Sequence, residues 1–216
     1  IKYCLVEKPL ADFSIEEGIH NQGYCRVAGV DEVGRGAWAG PVLAAAVIFS
    51  NTKVSSEIYS EINDSKKLSS KKREDLHEII IREAEVGIGQ ASVEDIDNMN
   101  ILNATFLAME RAISNLENKA DFIIIDGNQS RPVFDPSRPI IKGDTISLSI
   151  AAASIVAKVS RDRLMIRLGS KFEGYGWNHN KGYGTVTHKT GLDKLGITIH
   201  HRKTFKPIIN ILSSNQ

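Results

Sequence analysis

The run Phe122-Ile123-Ile124-Ile125 is apolar at every position and ends in Asp126-Gly127. A half-buried strand alternates apolar and polar side chains, whereas a short strand that is apolar throughout has both faces covered. The chain is therefore expected to fold as a sheet packed between helices, with a carboxylate at the end of an interior strand. The rest of the sequence fits this frame. Residues 26–32 read as a strand entering a Gly-rich turn, residues 41–49 as an apolar antiparallel neighbour, and residues 86–92 and 139–142 as further strands. Ser69 is a candidate N-cap for a helix to about residue 84. Ile101, Ala104, Thr105, Ala108, Met109, Ala112, Ile113 and Leu116 form one stripe of a long helix. Asp97 and Asn100 precede it as candidate caps. Residues 147–165 read as a second long helix, whose Ala151, Ala152, Ala153 and Ala157 permit close packing on the sheet. The expected fold class is α/β, with a mixed central sheet flanked by helices, in one domain spanning residues 1–216. Residues 1–25 form a loosely tied N-terminal segment. From about residue 169 to 216 the chain reads as loops and short helices, where binding residues concentrate.

Three short motifs present acids where carboxylates are costly. Asp31-Glu32 lies between Gly29-Val30 and Val33-Gly34, Asp126 ends its apolar run, and Asp144 follows Gly143 just before the second long helix. Taken singly, an Asp beside Gly reads as a turn or a helix anchor. Together, carboxylates at buried strand ends repel one another and lose hydration unless cations neutralise them. Hard divalent ions take oxygen ligands, so the pattern points to metal-dependent phosphoryl chemistry. Successive strand residues face opposite ways, so Asp31 and Glu32 can serve one site only where the strand ends or twists. The glycines around Arg35 allow the backbone to approach a ligand closely, where it could read a sugar hydroxyl while Arg35 holds phosphate.

The net charge of +1 conceals an asymmetry, because residues 158–206 carry eleven Lys/Arg against three Asp/Glu. Aromatics sit among these bases at Tyr175, Trp177, Tyr183 and Phe205. A basic, aromatic-bearing flank beside an acidic centre suits a nucleic acid held over metal ions. Cys4 and Cys25 are too few for a disulfide framework or zinc site, and a reducing cytoplasm is expected. No apolar run is long enough to span a bilayer, so no membrane partner is expected.

The segments Gly29-Val30-Asp31-Glu32-Val33-Gly34-Arg35-Gly36, Ala39-Gly40-Pro41-Val42, Asp64-Ser65-Lys66-Lys67-Leu68, Ile124-Ile125-Asp126-Gly127 and Gly143-Asp144 resemble the type 2 ribonuclease H (ribonuclease HII) family. So do residues 149–159, Arg161-Asp162, Asn180-Lys181-Gly182-Tyr183-Gly184-Thr185, His188 and His201-Arg202-Lys203-Thr204-Phe205, in collinear order. The resemblance implies an RNase H-like fold and a divalent cofactor, Mn²⁺ or Mg²⁺, with two ions acting in catalysis. It implies hydrolysis of RNA paired with DNA, and cutting on the 5′ side of ribonucleotides embedded in duplex DNA. The products carry a 3′-hydroxyl and a 5′-phosphate. It puts the catalytic, metal-binding acids at Asp31, Glu32, Asp126 and Asp144, and the ribose-sensing elements at Gly34, Arg35, Gly36 and Tyr183. Ala37-Trp38 departs from the family's more frequent Pro-Leu, which bears on local loop shape only. No clamp-binding extension is evident after Phe205, and a monomer is expected.

Ser65, Lys66, Lys158 and Arg161 are further candidates for backbone phosphate. Ser65 and Lys66 could equally cap the next helix, and Lys158 or Arg161 could pair with Asp162. His179, His188, His200 and His201 form no reliable metal set, and His200-His201 reads as structural or as a surface base. Two rival functions remain: a junction-resolving or DNA-only nuclease of similar fold, indifferent to the 2′-hydroxyl, and a non-enzymatic nucleic-acid binder, for which four clustered acids serve no purpose.

Overall fold

The computed structural model describes residues 11–50, 54–62 and 69–214. The elements run α1 (Ser14–His20), β1 (Val27–Val33), β2 (Val42–Ile48), α2 (Ser56–Ile62), α3 (Ser70–Glu83), β3 (Glu85–Ala91), α4 (Val93–Ser114), β4 (Phe122–Asp126), β5 (Ser137–Ile140), α5 (Leu148–Lys171), α6 (Trp177–Asn180), α7 (Val186–Leu195) and α8 (Lys206–Ser214). The five strands form one sheet in the order β3-β2-β1-β4-β5. β1 pairs antiparallel with β2 and parallel with β4, which makes the sheet mixed, as expected.

The apolar strand β4 lies inside the sheet with helices over both faces. Ile123 and Ile125 face α4 in a core shared with Val30, Ala44, Ala108 and Met109. Ile124 faces the other way, beside Ile150 of α5. Each such isoleucine contributes about 2–3 kcal/mol by leaving water. α5 crosses β1 so closely that a Cβ on Gly29 would stand 2.3 Å from the Ser149 carbonyl carbon. Only glycine fits there, and the small residues of α5 complete the approach.

The helix ends follow their side chains. Ser69 accepts from the Lys72 N–H and starts α3 where expected. Ser92 and Asp95 form a reciprocal capping box at the start of α4, earlier than the apolar stripe implies. Asn100 then interrupts α4 at φ 69°, and its Oδ1 accepts from the Leu102 and Asn103 N–H groups, re-capping the second segment. Asp97 is a correction to the capping expectation. Its carboxylate accepts from the Lys203 and Thr204 N–H groups and the Thr204 hydroxyl, pinning the C-terminal segment to α4.

Residues 11–20 are tied more firmly than the sequence suggests. Glu16 is buried, and its Oε1 accepts from the Ser147 hydroxyl at 2.7 Å and the Ser149 N–H at 3.0 Å. It thereby anchors α1 to the start of α5, where the helix dipole favours a negative charge.

Candidate active site

The acids gather at one end of the sheet. In the parallel pair, Val30 lies beside Ile125, so Asp31 and Asp126 follow at the same level of neighbouring strands. Asp144 arrives from the 3₁₀ turn Gly143–Thr145 that leads into α5. This turn is fixed to β4, because Asp126 Oδ1 accepts from the Gly143 N–H at 2.6 Å. Glu32 occupies the opposite face of β1 and enters a groove of about 360 Å³, lined also by Arg35, Thr105, Phe106, Asp126 and Gln129. The strand stays regular through Val33, so Asp31 and Glu32 approach one region from two faces of its end rather than through a twist.

Their electrostatics are strained. Burial pushes the Asp31 carboxyl well above the usual range, and the charges of Glu32 and Asp126 add to it. Burial also raises Glu32, against the pull of Arg35, whose Nη1 stands 3.2 Å from Glu32 Oε1. Asp126 is raised by burial and then by Asp144, with the N–H groups of Gly143, Asp144 and Gly127 opposing the shift. This is an oxygen-only donor set under mutual repulsion, which fits a hard divalent cation. Among the described residues no three His, Cys, Asp or Glu side chains close into a ready-made coordination set. Donor type and charge fit, and the remaining ligands would come from water and substrate phosphate oxygens.

The glycine loop follows directly. Gly34 has φ +94°, and a Cβ there would lie 2.1 Å from Arg161 Nε. Tyr183 is partly exposed and flanks the loop, with its ring edge 4.0 Å from where a Gly36 Cβ would stand. Trp38 joins the two: its N–H donates to the Gly182 carbonyl at 2.8 Å, and its ring covers Gly184. The Ala37-Trp38 departure thus shapes the seam between loop and tyrosine.

Arg161 requires a correction. It is fully buried, and its guanidinium donates to the carbonyls of Pro41, Lys181 and Ala39. With none of its surface exposed, it does not reach phosphate. Lys158 remains partly exposed and pairs with Asp162 at 2.7 Å. Ser65 and Lys66 lie outside the described residues.

Sequence reasoning counted Arg202 only among the basic residues from Lys158 onward that hold a nucleic-acid backbone, and left His188 and His201 without a definite role. All three are fully buried. Arg202 donates to the carbonyls of Gly40, Arg35 and Gly34. The Thr198 N–H donates to His201 Nδ1 at 2.9 Å, so the His201 proton sits on Nε2. That proton faces His188 Nε2 at 3.1 Å, which also accepts from Trp177 Nε1. His188 Nδ1–H is left to donate to the Tyr183 carbonyl at 3.1 Å. Both rings are therefore neutral. A lysine or arginine in a basic stretch reads as solvated, and a lone histidine carries no burial signal.

Comparison with known proteins identifies the family and the fold. The family model described as Ribonuclease HII matches residues 28–208. A ribonuclease HII of Ehrlichia ruminantium (strain Welgevonden) is 51% identical over 207 residues, covering 94% of this chain and 97% of its own. One from the Wolbachia of Brugia malayi is 50% identical over 199 residues, covering 92% and 95%. Among solved structures, the ribonuclease H2 of Pyrococcus horikoshii OT3 superposes with a TM-score of 0.76 at 25% identity, covering 88% of this chain and 98% of its own.

Proposed function

The chain belongs to the ribonuclease HII family, and from that premise we propose that it cuts duplex DNA on the 5′ side of an embedded ribonucleotide, as well as RNA strands paired with DNA. It is a metal-dependent endoribonuclease of RNA–DNA hybrids. One observation carries the finer reading. β1 carries Asp31 and Glu32 straight into the glycine loop, Arg35 of that loop bonds Glu32, and Tyr183 flanks the loop at Gly36, which supports a metal centre and a sugar-reading surface side by side.

Asp31, Glu32, Asp126 and Asp144 would hold two divalent ions, Mg²⁺ or Mn²⁺. When bound, such ions supply Lewis acidity for water activation and for the leaving 3′-oxygen. The chain's own groups do the rest. The loop at residues 34–36 brings backbone donors to the ribose 2′-hydroxyl, the group that separates RNA from DNA. The Tyr183 ring offers a flat surface to the sugar beyond the junction. Arg35 is poised between Glu32 and the phosphate backbone, and Lys158 with the C-terminal region from about residue 169 supplies further positive charge. Hydrolysis leaves a 3′-hydroxyl and a 5′-phosphate. We assign the protein to the cytoplasm, in keeping with its sparse cysteines, and propose that it acts as a monomer. Among the described residues no helix is long and apolar enough to cross a membrane.

The test is a DNA duplex carrying one ribonucleotide, incubated with and without Mg²⁺ or Mn²⁺ beside an all-DNA control. A single metal-dependent cut 5′ of the ribonucleotide, with the control intact, is expected. Equal cutting of both duplexes would replace this reading with a DNA nuclease.

A further inference from the structure

Two fully buried guanidinium groups lie behind the glycine loop, and neither forms an ion pair among the described residues. They donate instead to six main-chain carbonyls. Arg202 holds those of Gly34 at 2.7 Å, Arg35 at 2.8 Å and Gly40 at 2.9 Å. Arg161 holds those of Lys181 at 2.9 Å, Pro41 at 3.0 Å and Ala39 at 3.2 Å.

This arrangement dictates where the loop amides point. In a planar trans peptide the C=O and the following N–H point in opposite directions. With the Gly34 and Arg35 carbonyls turned inward onto Arg202, the N–H groups of Arg35 and Gly36 turn outward. Among the described residues neither N–H has a backbone partner. A cation on the carbonyl side also polarises each peptide and strengthens its opposite N–H as a donor. Arg161 extends the device to the tyrosine. Its guanidinium carbon lies 5.5 Å from the Tyr183 ring centre, and the same group holds the Lys181 carbonyl two residues earlier.

We propose that Arg202 and Arg161 are positioning residues for sugar recognition: Arg202 aims and activates the Arg35 and Gly36 amides, and Arg161 locks Tyr183 in register with them. The proposal rests on the ribose-sensing reading given above. It makes the selectivity for a 2′-hydroxyl depend on two side chains that never touch the nucleic acid.

Arg202→Lys and Arg161→Lys keep the charge but lose the planar fork that serves three carbonyls at once. For each variant, kcat and KM are measured on the single-ribonucleotide duplex, with the inhibition constant of an all-DNA competitor and the Mn²⁺ affinity by calorimetry. The expected result is a fall in kcat/KM of about 10- to 100-fold. KM should rise toward the all-DNA inhibition constant, while that constant and the Mn²⁺ affinity stay within about twofold of wild type. A general loosening of the fold would move all of these together. Folded variants that keep wild-type discrimination would overturn the proposal. A wild-type protein that binds both duplexes equally would instead overturn the ribose-sensing reading beneath it. Should the lysine variants not fold, side-chain exchange in the wild type decides. The Nε–H protons of Arg161 and Arg202 should exchange at least about tenfold more slowly than that of exposed Arg35, and equal rates would refute the proposal.

Discussion

The acid cluster and the platform behind the glycine loop both bury like charges, yet they are finished to different degrees. At the sheet end, Asp31, Glu32 and Asp126 are raised by burial and by neighbouring carboxylates, and Arg35 opposes the shift at Glu32. A few residues away, Arg161 and Arg202 are more deeply buried, but six carbonyl oxygens accept from them. Burial lowers both guanidinium groups, Arg202 to about 9, which leaves them charged at neutral pH. The platform is internally satisfied and can be rigid without a ligand. In the acid cluster burial opposes the ionisation of Asp31, Glu32 and Asp126, so a bound cation would recover free energy there. Stability and function should therefore respond oppositely in the two places.

The largest effect is expected from the unfinished side. Asp126→Asn removes a charge from the cluster while its Oδ1 can still accept from the Gly143 N–H. Ribonucleotide-directed cleavage should fall by at least ~10²–10³-fold, with duplex binding and melting temperature nearly unchanged. Near-normal cleavage by this variant would remove Asp126 from the chemistry. On the finished side the consequence is loss of fold. Among the described residues, Arg202→Met leaves the Arg35 and Gly40 carbonyls without donors and the Gly34 carbonyl with only the Ala37 N–H at 3.3 Å, at roughly 1–3 kcal/mol for each orphaned carbonyl before relaxation. Chemical denaturation should show a loss of about 3 kcal/mol or more, and a loss below about 1 kcal/mol would mean that water reaches those carbonyls.

Acidification should separate the regions further. His201 is lowered from the ordinary 6.5 to about 4, first by burial and then by His188. The unfolded chain therefore takes up a proton that the folded chain refuses. This contribution is complete above pH 6.5 and lost as the pH falls toward 4. It amounts to roughly 3 kcal/mol at most, at about 1.4 kcal/mol per unit. The melting temperature should drop across this window, and His201→Gln should flatten the slope. An unchanged slope would assign the acid sensitivity elsewhere.

Much of this was legible in the sequence, for identifiable reasons. The apolar run at residues 122–125 and the small residues of α5 express backbone packing directly, so the covered mixed sheet could be read from them. The acids were legible because carboxylates at strand ends conflict with burial. The platform was not. Arg161 and Arg202 sit in the most basic part of the chain, where charge signals solvent or phosphate, and their carbonyl partners carry no side-chain signature. Asp97 was misread for a related reason: its partners, Lys203 and Thr204, are more than a hundred residues away, whereas capping reads only local spacing. Glu16 likewise binds across 131 residues to Ser147.

The smallest expected effect tests the comparison most directly, because it changes sign with the metal. Asp31 is nearly inaccessible, and its raised pKa means that ionisation opposes folding. A carboxyl raised in the fold contributes most at low pH, below its unfolded pKa, and loses that contribution as the pH rises through its folded value. At neutral pH without divalent ions, Asp31→Asn removes this cost, and its Oδ1 can still accept from the Glu32 N–H at 2.7 Å. The variant should then be more stable than wild type by about 1 kcal/mol, an advantage that shrinks toward pH 4. With Mn²⁺ at a hundred times its dissociation constant, wild type should gain about 2.7 kcal/mol by mass action, and the variant much less. The order of the two melting temperatures should therefore invert when metal is added. If Asp31→Asn were the less stable protein under both conditions, the carboxylate would be serving the fold, and the contrast between an unfinished acid cluster and a finished basic platform would fail at its central residue.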